Sequence, residues 1–428
     1  MKLISIFYTL FWMAFFPTCI AFNDLPGFRH VDEAMTAVLI VFTIVVSGVR
    51  TTNRKPWKEY AAFLALLVFY AVYSLYVSRV NVAEAVYVEF VQQLRPYSVL
   101  LCTWILNPKF SRMQRRLMLV TMIATLLAWL VYTFRAGDLV ADAEFPVLGQ
   151  LAICTGMAYY IFAQPSGSNK YVALLIVLVG LLAPKFKYFG EVVCFVGVVF
   201  FLTRRIRYNS PKTALQLILL AVVCIAFTWS KFDWYYVSGW ENEALARPMT
   251  YKTAVLILKD FFPFGPGMGT FGTYAAAVHY SPLYYAYHLN EIWGLSETFS
   301  DFVADAFYPT LAQYGVVGVV FFIWFWVRRL KDINKITDIR YYRVALLAFF
   351  CLAIESVADT SYLSGKGMGY FMLLGLCLNS TYRPQTEKKG EEEPKETGEK
   401  PAELPETPWK PLPSRQNDES HKVWRIGE

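Results

Sequence analysis

The sequence predicts an all-α polytopic membrane protein of about twelve transmembrane helices, interrupted once by a long polar loop. Three observations lead there. First, the 428 residues are 56% hydrophobic and only 17% charged, a composition of membrane-embedded chains. Second, apolar runs approaching the ~20 residues that cross a bilayer recur along most of the chain. Third, Lys and Arg concentrate in alternate connectors: 50–58, 109–116, 170, 204–212 and 328–343 carry nineteen, against six in the short connectors between them. That asymmetry places both termini in the cytoplasm and the long loop outside.

The first run, Leu3 to Phe22, follows Lys2 directly. It is long for the apolar core of a signal peptide, and no clear A-x-A site follows, so it reads as the first span. Further spans are expected near 34–49, 60–78, 86–106, 117–134, 145–163, 171–183, 190–202 and 213–229, which makes 1–229 a region of nine helices. Residues 230–305 form the loop. Residues 306–381 then hold three more spans, near 306–327, 344–362 and 367–381. The tail 382–428 is rich in Glu, Lys and Pro and poor in aliphatics. It cannot bury enough apolar surface to offset its ordering entropy, so it reads as a disordered cytoplasmic tail.

Composition also removes function classes. The seven cysteines all lie in apolar runs, without metal or redox spacing, and read as small buried apolar residues. The net charge of +7 sits in connectors rather than on a stripe, which excludes nucleic acid as a partner. No inverted repeat is visible, which argues against many transporter folds.

Candidate functional residues concentrate in and around the loop. Gly267-Met-Gly269-Thr-Phe-Gly272 matches G-x-G-x-x-G, but no strand or βαβ unit surrounds it, so it is not a dinucleotide fingerprint. With Pro263 and Pro266 it reads as a tight turn, and its backbone amides are an alternative anion cradle. Arg247 precedes Pro248, a residue suited to a helix start. A helix from there, on or dipping into the outer membrane surface, would carry Arg247 and Lys252 in its first two turns. Both are interfacial anchors or phosphate ligands; arginine offers a bidentate fork. Lys185 and Lys187 interrupt two runs too short to span comfortably, and a lysine at that depth is costly unless it meets anions or water. The span near 86–106 opens with Glu84, Glu89, Gln92, Gln93 and Arg95; Glu84, Gln92 and Arg95 share one face, which predicts a water-filled cavity beside them. Glu355 and Asp359 form an i,i+4 pair that would serve as counter-ion to nearby lysines or as acid and base. Tyr274, Tyr284, Tyr285 and Trp293 are either an interfacial belt or stacking platforms for sugars. His279 and His288 lack a third ligand at metal spacing.

With these residues in view, the chain resembles the O-antigen ligase and O-antigen polymerase superfamily of integral-membrane glycosyltransferases. The resemblance is sharpest from Arg247 to Gly318: an Arg opening an outer helix, then DFFPFGPGMGTFG (260–272), SPLYY (281–285), SDFVADAFYP (300–309) and LAQYGVVG (311–318). Ligases carry a His nine residues or so before the G-x-x-G that opens a span, here Gly315 to Gly318; this chain has Ala304-Asp305 instead. That departure points to a repeat-unit polymerase rather than a ligase. The resemblance implies a GT-C-like arrangement in a bacterial inner membrane, with the loop in the periplasm. It also implies an undecaprenyl-diphosphate-linked glycan as donor, membrane lipids and a chain-length regulator as partners, and no cofactor or metal. On this reading Arg247, Asp301 and Asp305 are catalytic, with His288 as second choice, and Lys185, Lys187, Arg95 and Lys252 bind diphosphate. The alternatives are a ligase acting on a lipid A core or another acceptor, and a flippase of lipid-linked glycan.

Overall fold

The computed structural model describes residues 2–21, 30–49, 54–136, 141–183, 185–202, 205–206 and 211–381; the 382–428 tail lies outside the described residues. The described chain is all-helical apart from one isolated bridge, Ser296 to Phe299. In order come α1 (Lys2–Phe15), α2 (Val31–Val49), α3 (Arg54–Tyr73), α4 (Ala83–Leu106), α5 (Arg112–Ala136), α6 (Ala141–Phe162), α7 (Asn169–Leu178), α8 (Phe186–Val196), α9 (Pro211–Phe227) and α10 (Trp229–Phe232). The loop holds α11 (Ala246–Asp260), α12 (Tyr274–Val278) and α13 (Leu283–Ala286), and the short α14 (Phe307–Thr310) follows it. The chain returns through α15 (Gly315–Ile333), α16 (Ile339–Ala358) and α17 (Gly365–Leu378).

Each of the twelve apolar runs overlaps a helix, but fewer than twelve of these helices have the length and apolarity of a span. Six helices, starting at Lys2, Val31, Arg54, Arg112, Phe307 and Ile339, are long and apolar enough to cross a membrane. A seventh span exists if Ile218–Phe227 and Trp229–Val237, which meet at 85°, count as one. Large apolar side chains such as Val38, Val41, Ile44 and Val45 on α2, and Leu215, Ile218, Leu219 and Val222 on α9, face outward, as lipid contact requires.

Two helices are buried nearly all round. From Arg95 to Leu106 α4 has no exposed residue, and neither has α17 from Gly367 to Leu378. They pack against each other through Gly375, where a Cβ would stand 2.7 Å from the Leu100 carbonyl. Small residues let membrane helices approach this closely. The polar residues of α4 therefore face protein, not a water-filled cavity, and this corrects the expectation from Glu84, Gln92 and Arg95: Glu84 is exposed, whereas Glu89, Gln93 and Arg95 are the buried ones.

Candidate functional site

The loop is pinned to the helix bundle at the glycine turn. Gln313 is the hub. Its carbonyl accepts from the Gly267 amide at 2.9 Å, and its side-chain oxygen from the Gly269 amide at 2.8 Å. Its Nε2 donates to Glu89 on α4 at 2.9 Å, and Tyr314 Oη donates to the same carboxylate oxygen at 3.0 Å. The Met268 amide donates to Ser74 Oγ, and the Gly272 amide to Tyr284 Oη. Gly267, Gly269 and Gly272 all have positive φ, the region glycine enters without steric cost. The turn is buried from Gly265 to Thr273 and these amides are spent inside the protein. The alternative of an anion cradle is thereby overturned; the motif is a structural turn, and a buried one.

A second set of contacts brings cations to the connection between α16 and α17. Arg247 grips Asp305 with both arms of its fork, Nε to Oδ2 at 2.7 Å and Nη2 to Oδ1 at 2.8 Å, and Nη2 also donates to the Ala358 carbonyl at 3.2 Å. The Tyr235 ring lies 4.4 Å from the guanidinium. Burial works against this charge, but Asp305 outweighs it and the Arg247 pKa is raised above its ordinary value; the side chain stays cationic. Tyr236 and Tyr251 stand beside it, each donating to the Val357 carbonyl. Thr360 Oγ1 holds the Ala304 carbonyl at 2.9 Å, which fixes the Asp305 segment against the same connection.

Lys187, in the first turn of α8, is buried between Glu355 at 2.5 Å and Asp359 at 2.6 Å. Arg95 pairs with Asp32 and donates to the Leu363 carbonyl at 3.2 Å. Lys366 lies within electrostatic reach of Asp359. One turn beyond Lys187, Glu191 is fully buried and accepts from Tyr370 Oη at 2.8 Å.

The sequence-based candidates divide on this geometry. Arg247 and Asp305, 58 positions apart, form one pair. Asp301 is exposed and makes no ion pair among the described residues. Two diphosphate-ligand expectations are corrected: Lys187 and Arg95 are neutralised by carboxylates that are themselves fully buried, Glu355 and Asp32, whereas Asp305, the partner of Arg247, is half-buried and within reach of solvent. The counter-ion alternative for Glu355 and Asp359 is the arrangement present. Lys185 is exposed at the start of α8 and pairs with no carboxylate among the described residues. Lys252 places its Nζ 5.6 Å from the centre of the Trp240 ring. Of the aromatic candidates, Tyr284 is fully buried and bonded to the glycine turn, so it is a core residue and not a sugar platform. Tyr274, Tyr285 and Trp293 are exposed, Tyr285 bonded to Glu297 and Trp293 packed on Phe299 and Phe302. Gln313, Lys366, Glu191 and Asp32 escaped the sequence reading. The signal was there for Gln313 and Lys366, a lone amide before Gly315 and a lysine between two glycines.

Beside α8 and α9 lies an apolar groove of about 850 Å3, walled by Phe189, Val192, Val196, Leu220, Val223 and Phe350 among others.

No protein family, curated protein or solved structure matches this chain.

Proposed function

We propose that this protein is a metal-independent membrane glycosyltransferase that polymerises lipid-linked oligosaccharide repeat units on the outer face of the membrane. The reading rests on the resemblance of residues 247–318 to the O-antigen polymerases. The observation that carries it is the Arg247–Asp305 pair, which joins the arginine and the carboxylate that such a reaction needs. The donor's leaving group is a diphosphate whose charge grows as the glycosidic bond breaks; a fixed cation in a partly dry site stabilises it. The acceptor hydroxyl needs a carboxylate to orient it and take its proton. In the ligand-free pair each group satisfies the other. Diphosphate arriving at Arg247 would compete for the guanidinium and release Asp305 to the acceptor hydroxyl. The hydroxyl oxygen then attacks the anomeric carbon, the carbon–oxygen bond to the diphosphate breaks with its electron pair on the diphosphate, and the proton passes to Asp305. Lys185 is the available second cation, and the apolar groove along α8 would take the lipid chain.

The test is reconstitution with an undecaprenyl-diphosphate-linked repeat unit. A ladder of lengthening glycans is expected, and none from Arg247→Ala at equal protein level. A flippase would move label across the bilayer without forming a glycosidic bond. A null strain separates the ligase: loss of a polymerase leaves single repeat units attached to the final acceptor, whereas loss of a ligase leaves none.

A further inference from the structure

At the other end of α16, roughly 27 Å from Ala358 by helix rise, the bundle holds a second group of cations with a different character. Arg112, Arg115 and Arg116 occupy i, i+3 and i+4 of α5 and so share one face. Ser111 and Gln114 cap the start of this helix reciprocally, the Ser111 amide donating to Gln114 Oε1 and the Gln114 amide to Ser111 Oγ, the capping-box arrangement that fixes a first turn. Arg340 enters from the first turn of α16. The four arginines line a single cavity of about 440 Å3, completed by Leu119, Phe162 and the 163–165 connector.

No carboxylate lines this cavity. The nearest to Arg340 is Asp338, at a long 3.5 Å from Nη2. Arg340 Nη1 is buried and has no hydrogen-bond partner. The buried guanidiniums elsewhere have close carboxylates, Asp32 for Arg95, Asp305 for Arg247, and Glu59 and Asp332 for Arg329, although Arg95 Nε and Arg329 Nε and Nη1 also lack a hydrogen-bond partner. Arg112 and Arg116 are exposed and Arg115 and Arg340 half-buried, yet all four converge from two distant segments on one hollow, where a bound anion would offset their mutual repulsion.

We infer that this cavity is a binding site for a phosphate-bearing anion. The guanidinium fork matches phosphate oxygens bidentately, and the orphaned Nη1 is the donor waiting for one. Two sources share that chemistry, the headgroup of an anionic membrane phospholipid and a free phosphate. The site is independent of the glycosyl-transfer reading, since none of its residues touches the Arg247–Asp305 region.

The full-length protein in nanodiscs tests it. One arm uses mixed phosphatidylglycerol and phosphatidylcholine discs and reads the lipid retained by the protein in native mass spectrometry. The other titrates inorganic phosphate into protein held in phosphatidylcholine alone. Selective retention of phosphatidylglycerol assigns a lipid headgroup; saturable phosphate binding without it assigns a free phosphate. In either arm the Arg115→Gln/Arg340→Gln variant loses at least tenfold in binding, and Arg135→Gln, at the far end of α5, loses nothing. If the double variant does not fold, Arg115→Lys and Arg340→Lys keep the charge, lose the fork and weaken binding by a smaller factor. Failure of both probes to bind the wild-type protein, or equal binding by the variants, overturns the assignment.

Discussion

Replacing Gly315 by alanine is expected to release the loop from the bundle. Gly315 has φ +60° and ψ −170°, a region essentially reserved for glycine, where a side chain costs about 1–3 kcal/mol. An added Cβ would stand 2.3 Å from the Gly265 amide nitrogen and 2.3 Å from the Pro263 carbonyl oxygen, against an ordinary carbon contact of about 3.5–4.0 Å. Both neighbours are backbone and cannot rotate aside, so the 263–265 segment has to lift. That breaks the bonds from Val317 N to Pro263 O at 3.1 Å and from Gly267 N to Gln313 O at 2.9 Å, each worth about 1 kcal/mol. With the strain, the loss comes to about 4 kcal/mol, or roughly a thousandfold in local opening. Hydrogen exchange at the Met268, Gly269 and Thr270 amides reads it directly, because exchange reports local opening free energy. Gly265→Ala is expected to match it, since its Cβ would meet the Gly315 nitrogen at the same 2.3 Å. The double variant is expected to cost less than the sum, because both changes break one contact. Protection within about threefold of wild type in Gly315→Ala would refute the reasoning.

In a double-mutant cycle on Arg247→Ala and Asp305→Ala, thermal unfolding should give a coupling of about 1.5–3 kcal/mol, as expected for a charged hydrogen-bonded pair; additive single variants would mean that the pair is not formed. Lys187→Met leaves Glu355 and Asp359 uncompensated and should destabilise by about 3–5 kcal/mol. Adding Glu355→Gln should recover part of the folded yield in detergent, and no recovery argues against the ion pair. Gln313→Leu keeps the bulk but strands the buried Gly269 amide, at about 1–3 kcal/mol, and leaves Glu89 to Gln93 and Tyr314; the loss is measurable as a shift in the loop's unfolding midpoint. Tyr284→Phe should cost about 1 kcal/mol by losing one bond without changing glycan binding, whereas Trp293→Ala, at an exposed position, should weaken glycan binding with little effect on the melting temperature.

The helices were legible because each apolar run is local: its length and the basic residues at its ends can be read along the chain. Arg247 was legible too, since a lone arginine before proline at a helix start is conspicuous. Its partner was not unique. Asp301 and Asp305 are equivalent on paper, and the tie of Ala304 to Thr360 is what presents Asp305. Lys187 shows the converse. The cost of burying a lysine was readable, and so was a carboxylate pair at 355 and 359, but a ligand phosphate and a protein carboxylate satisfy that charge equally well until the two segments are placed side by side. The G-x-G-x-x-G turn followed the same logic. Its positive φ angles follow from composition, while the fate of its amides depends on Gln313 and Ser74, which lie in other elements.

The sequence by itself determined a helical chain with several segments long and apolar enough to cross a membrane and one long polar loop, because hydrophobicity and charge act on each segment separately. Only the tertiary structure decided which cations remain available to a ligand. Arg95 and Lys187 are neutralised within the fold, Arg247 is held in reserve by Asp305, and the four arginines at the opposite end share a cavity that no carboxylate lines. The physical reason is that a charge takes its meaning from what lies within a few ångströms of it, and those neighbours come from segments far apart along the chain.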